Sequence, residues 1–144
     1  IVHMGNNHCL MATAAGLLSR FNAFSWDQQR TRLPQAGTID GMQVSAVGNV
    51  VIVTSSFSVF VVDHDLRIVH AGTVPYMQTR PIAMSAYGDE VMIFPYFEQY
   101  VVNAYTKTMR ENIHSHSKHV TACVFTDTHA VAGGCHGELF CVRL

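Results

Sequence analysis

The chain has 144 residues, about one domain's length, with 49% hydrophobic and only 13% charged residues and a formal net charge of −1 at pH 7. Its nine Lys and Arg stand singly rather than in the clusters that neutralise a phosphate backbone, so direct nucleic-acid binding is not expected. There is no eighteen-residue apolar run to span a membrane, and the opening IVHMGNNHCL lacks the charged start and small-residue cleavage site of a signal peptide.

Helical periodicity is hard to find. Short apolar or alternating runs rich in Val, Ile, Phe and Tyr are separated by Gly, Asn, Asp and Ser, which predicts an all-β chain. In chain order, strands are predicted at 1–4 and 9–13 around the reversal GNNH, then at 17–22 (LLSRFN). The stretch RTRLPQAG offers a weaker fourth strand, in which Pro34 suits an edge position. The next group is 44–47, a GN turn, 50–54, 58–63 (SVFVVD) and 66–71 (LRIVHA). A third group follows at 82–87, a GDE turn, 90–94, 98–103 (EQYVVN) and 108–113 (TMRENI). The last has 120–125, a TDTH turn, 130–134 and 138–143 (ELFCVR).

These groups form a repeat. The third strands end on Asn22, Asp63, Asn103 and Arg143, spaced 41, 40 and 40 residues apart, each preceded by an apolar residue. Four antiparallel strands in this period make one propeller blade, whose two faces are covered only by stacked neighbours. The approximate repeats are 1–41, 42–80, 81–118 and 119–144. The low charge fraction agrees with a surface partly hidden by other protein.

The spacing resembles a WD-repeat β-propeller. That family places Gly-His before the first strand and ends the third on Trp-Asp. Here Ser115-His116 precedes Val120 in the last repeat, and the terminal pairs read Phe21-Asn22, Val62-Asp63, Val102-Asn103 and Val142-Arg143. Only Asp63 keeps the acidic member, so apolar packing must replace much of the family's hydrogen-bonded set. In the family the last blade takes its outer strand from sequence ahead of the first. This chain starts inside an innermost strand and stops after a third one. It is therefore expected to be about half of a seven- or eight-bladed ring, with a closed four-blade ring as the alternative.

Candidate chemistry is sparse. His114, His116 and His119 in HSHSKH carry imidazoles that suit zinc or copper, but no Cys or carboxylate sits at ligand spacing. The competing reading is a loop entering the last blade, with His116 bonding locally. No metal or cofactor is assigned. VAGGCHGEL lacks the Lys and following helix of a phosphate loop and reads as a hairpin bend. Cys9, Cys123, Cys135 and Cys141 form no C-x-x-C pair and read as free thiols of a reducing compartment. FPYFEQY puts aromatics around one hairpin, and Tyr96 and Phe97 are candidate partner contacts, as is Trp26 just beyond the first third-strand. Core packing is the competing reading for Phe94, Tyr100 and Trp26.

The resemblance implies a non-catalytic scaffold with protein or peptide partners, intracellular and most simply cytoplasmic, joined to the remaining blades of its parent protein. The alternative is a propeller enzyme or metal-binding domain using His114, His116 and His119.

Overall fold

The computed structural model describes residues 1–34, 37–74, 82–94, 99–112, 120–134 and 136–143. Among them there are fifteen strands and no helix. The first sheet holds β1 (Val2–Gly5), β2 (His8–Ala12), β3 (Leu17–Asn22) and β4 (Gln28–Arg32). The second holds β5 (Ile39–Val44), β6 (Val50–Thr54), β7 (Ser58–Val62) and β8 (Ile68–Thr73). The third holds β9 (Ala83–Tyr87), β10 (Glu90–Phe94), β11 (Gln99–Asn103) and β12 (Thr108–Asn112). The fourth has three described strands, β13 (Val120–Phe125), β14 (His129–Gly134) and β15 (Leu139–Arg143). Every sheet is an antiparallel meander in sequence order.

The sheets stack as blades. β1 lies beside β5, β5 beside β9, and β9 beside β13, so the innermost strands succeed one another around a common axis. The Phe125 N–H donates to Ser85 Oγ (3.0 Å) across the last of these approaches.

Three hydrophobic clusters mark the three seams between blades. Met4, Leu10 and Leu18 of blade 1 meet Val50, Ile52, Phe60 and Val62 of blade 2. The alternate residues of blade 2, Val51, Val53, Val59 and Val61, meet Val91, Ile93, Tyr100 and Val102 of blade 3. Met92, Phe94 and Val101 then meet Val120, Phe125, Ala130 and Ala132 of blade 4. Side chains alternate between the faces of a strand, so a strand with a neighbour on each side must be apolar throughout. VVIVT and SVFVV are apolar but for Thr54 and Ser58 at the strand ends, where Thr54 Oγ1 donates to the Ser58 C=O (3.2 Å), and all ten residues are buried. Each fully buried Val or Ile contributes about 1.5–3 kcal/mol, which makes the seams the main source of stability.

Blade 4 breaks the pattern. Its face toward blade 3 is buried, whereas Val124 (61% exposed) and Leu139 (80%) lie on the other face, open to solvent. The four blades thus form an open segment of a propeller.

Three predicted strands shift. The inner strand of blade 2 ends at Val44, where 44–47 was expected to be extended. Residues 45–48 turn instead, closed by Gly48 N–H to Ser45 C=O and Ser45 N–H to Asn49 C=O (both 2.9 Å), with Gly48 at φ +81°. The outer strand of blade 2 starts at Ile68, because Leu66 takes a left-handed turn conformation (φ +58°). In blade 1 the outer strand ends at Arg32, before Pro34 rather than through it.

Candidate interaction surface

The recurring Asn or Asp that ends the third strand of blades 1 to 3 is a turn cap. Asn22 Oδ1 accepts from the N–H groups of Phe24 (2.9 Å) and Ser25 (3.1 Å). Asp63 Oδ1 accepts from Asp65 and Arg67 (both 3.0 Å), and Asn103 Oδ1 from Tyr105 (3.1 Å) and Thr106 (2.8 Å). A short side chain with an acceptor near the backbone is what this geometry needs. The 40-residue period therefore tracks turn chemistry as well as packing.

Each capped turn contains one non-glycine residue in the left-handed region: Trp26 (φ +61°), Leu66 (+58°) and Lys107 (+59°). Leu66 is buried in the seam between blades 1 and 2. Lys107 reaches back to blade 2, where its Nζ lies 3.3 Å from Asp63 Oδ2. Trp26 holds the same turn position in blade 1 and is 75% exposed. Its ring stacks on Phe21, centroids 6.4 Å apart and planes within 6°. Met11, Phe21, Trp26 and Gln28 line an open cleft of about 290 Å³ beside it.

These turns gather at one edge of the stack. The Ala23 N–H donates to Asn7 C=O (2.8 Å) and Ala104 N–H to Asp89 C=O (2.7 Å), seating the two hairpin turns of a blade on each other. Between blades, Ala46 N–H donates to Gly88 C=O (2.8 Å) and Asn49 Nδ2 to Ala104 C=O (2.9 Å). Arg20 ties blade 1 to blade 2 through the His64 carbonyl, while its other nitrogen donates to Gln29 Oε1 (2.7 Å).

Tyr96 and Phe97 lie outside the described residues, as do His114, His116, His119 and Cys135. Phe94 and Tyr100, which flank the first of these segments, are both buried, in different seams. Among the described residues no group of three or more His, Cys, Asp or Glu is placed to hold a metal. The described part of the Gly-rich bend is a hairpin turn, with Gly134 N–H donating to Glu138 C=O (2.8 Å) and Gly137 at φ +83°.

Three groups have shifted acidities; burial raises the Asp40 carboxyl, partly offset by the Thr38 hydrogen bond. Burial alone would raise the Asp63 carboxyl. The Arg67 N–H, Lys107 and the Asp65 N–H outweigh that and hold it below the usual range. Burial pushes the Cys123 thiol up to about 12. Cys9, Cys123 and Cys141 are all free, and only Cys141 is exposed.

Sequence reasoning missed Lys107 and the shared role of Leu66 and Trp26. Their signal was an offset of three or four residues from the capping Asn or Asp.

No family model matches the chain, and no curated protein matches it. Solved structures do. The computationally designed Ika4 protein is 15% identical at a TM-score of 0.75, covering 97% of this chain and 87% of its own. The RRP9 WD40 repeats are 12% identical at 0.69, covering 98% and 49%. A catalytically inactive virginiamycin B lyase from Staphylococcus aureus, solved with quinupristin, is 13% identical at 0.73, covering 97% and 49%. The chain spans about half the length of the latter two. The fold is a WD-like β-propeller segment.

Proposed function

We propose that this propeller segment is a non-catalytic scaffold for protein or peptide partners, acting in the cytoplasm as part of a larger assembly. The carrying observation is the contrast between three closed apolar seams and a solvent-exposed aromatic cleft at Trp26. Rigid seams hold the turns at fixed positions, and a stacked indole at a turn edge offers a large apolar contact at little entropic cost. Tyr96 and Phe97 are the other proposed contacts. Resemblance to WD40 propellers supports this reading.

The test is a pull-down with the wild-type chain, Trp26→Ala and a Tyr96→Ala/Phe97→Ala double variant, with thermal melts of each. A protein partner lost by a variant whose melting is unchanged supports the reading. Retention of every captured protein by both variants rejects these contacts.

A second reading draws on the likeness to the virginiamycin B lyase: a propeller enzyme or metal-binding domain using His114, His116 and His119. Elemental analysis and a chelator-sensitive thermal shift test it. A metal-free protein whose melting ignores both zinc and chelator eliminates the metal site.

A further inference from the structure

One position recurs in the capped turns and faces outward each time. The cap oxygen accepts from the N–H two residues on: Asn22 from Phe24 (2.9 Å), Asp63 from Asp65 (3.0 Å) and Asn103 from Tyr105 (3.1 Å). The bond fixes the backbone there and leaves the side chain in solvent. Phe24 is 78% exposed, Tyr105 70%, and the Asp65 side chain 70%. The three stand on successive blades, so one edge of the stack shows an aromatic ring, a carboxylate and a second ring in order. Turn chemistry asks for no aromatic at this position, because the cap uses only the N–H. Blades stack through their faces, so this edge stays open however many blades a ring holds. Val47 and Tyr87, exposed in the inner turns of blades 2 and 3, extend its apolar part.

The charges on this edge decide what it fits. Asp27, Asp65 and Asp127 are exposed, and Asp89 is half-buried. Three nearby cations are committed to groups of the chain itself: Lys107 to Asp63, Arg110 to Glu90, and Arg20 to the His64 carbonyl and Gln29. Arg67 is looser. It lies 3.9 Å from Asp65 Oδ2 in a solvent-exposed pair, which contributes little. Carboxylates therefore outnumber available cations, which favours a basic ligand and disfavours phosphate or an acidic segment. Stacked sheets lie about 10 Å apart and an extended chain rises about 3.3 Å per residue, so adjacent blades are about three residues apart along a bound strand.

We propose that this edge binds an extended polypeptide segment carrying a Lys or Arg with an apolar residue about three positions to either side. The cation meets Asp65, and the apolar groups pack on Phe24 and Tyr105. This deepens the scaffold reading and rests on it, but uses neither Trp26 nor Tyr96 and Phe97. The two rings supply affinity, and the carboxylate sets register and rejects acidic segments.

The test is selection of a random dodecapeptide display library on the folded chain, followed by fluorescence anisotropy of one enriched peptide with each variant. The expected enrichment is a Lys or Arg flanked at about three residues by apolar side chains. Phe24→Ala and Tyr105→Ala should each raise the dissociation constant about tenfold, the scale of a lost interface anchor. Asp65→Lys should remove binding, whereas Arg67→Ala should tighten it about twofold by releasing the carboxylate. Each substitution keeps the N–H that its turn uses, and thermal melts check that the fold persists; should one alanine variant unfold, the other carries the test. No enrichment over the bare support overturns the proposal, as does a motif without the cation or a peptide whose affinity ignores Phe24, Asp65 and Tyr105. A peptide released by Trp26→Ala but by none of these variants overturns it and leaves the scaffold reading standing.

Discussion

Lys107 Nζ lies 3.3 Å from Asp63 Oδ2, joining the turn of blade 3 to the turn of blade 2. Asp63 does two jobs at once, since its other oxygen caps its own turn. Both side chains are largely shielded from solvent. The pair is a polar clasp at the rim of an otherwise apolar seam. It sits where the WD-repeat pattern keeps its acidic residue.

Acid should open this clasp. The folded carboxyl titrates below its unfolded value, so its contribution is complete above the unfolded pKa and is lost as pH falls through the folded one. Thermal melts between pH 7 and pH 2 should show the wild type more stable than Lys107→Met by about 0.5–1 kcal/mol at neutrality, the scale of an ion pair near the surface. The gap should close in acid, below the ordinary carboxylate range. A difference that stays constant with pH would mean that Lys107 acts through packing.

The capping half of the same residue separates by substitution. Asp63→Asn keeps an acceptor on the turn and loses the charge, whereas Asp63→Ala removes two charge-assisted hydrogen bonds. Urea unfolding should place D63A about 2 kcal/mol below the wild type, with D63N between them. Asn103→Ala, which loses two neutral bonds to Tyr105 and Thr106, should cost about 1 kcal/mol. Equal losses for D63N and D63A would assign the whole effect to Lys107.

The blades were legible in the sequence because packing and turn chemistry repeat together. VVIVT and SVFVV announce strands buried on both faces, and Asn22, Asp63 and Asn103 fix the period because each must cap a turn. Strand ends were less legible: 44–47 alternates like a strand, but the Gly48–Asn49 reversal claims its residues. Trp26 was legible as a conspicuous residue, not as a member of a set. Its equivalents are Leu66 and Lys107, three side chains with nothing in common except a backbone conformation and a direction. Composition cannot reveal such a relationship, because the position is defined by φ rather than by residue type.

Gly48 offers a sharper test of how tightly the turn edge is packed. At φ +81°, it stands against the Met4 carbonyl and the His64 ring, where a Cβ would collide with both. Gly48→Ala should therefore cost about 3 kcal/mol, combining left-handed backbone strain with overpacking against a carbonyl that cannot swing aside. Gly88 is the control. It shares the positive φ (+55°), yet a Cβ there meets nothing within 4 Å. Gly88→Ala should lose only about 1 kcal/mol, the backbone share of the penalty. Equal urea midpoints for the two variants would show that blades 1 and 2 are free to separate at Gly48.

The thiols report on which faces are covered. Cys123 lies on the blade 3 side of blade 4, packed against the cluster of Met92, Phe94 and Phe125, and burial pushes its pKa up to about 12. Cys141 lies on the opposite, exposed side. Alkylation proceeds through the thiolate, which burial disfavours at Cys123. In the native chain, mass mapping after brief iodoacetamide treatment should find Cys141 modified and Cys123 untouched, with the two equalised in denaturant. Faster modification of Cys123 than of Cys141 in the native chain would mean that the seam between blades 3 and 4 opens readily, and that blade 4 is held less firmly than its buried face requires.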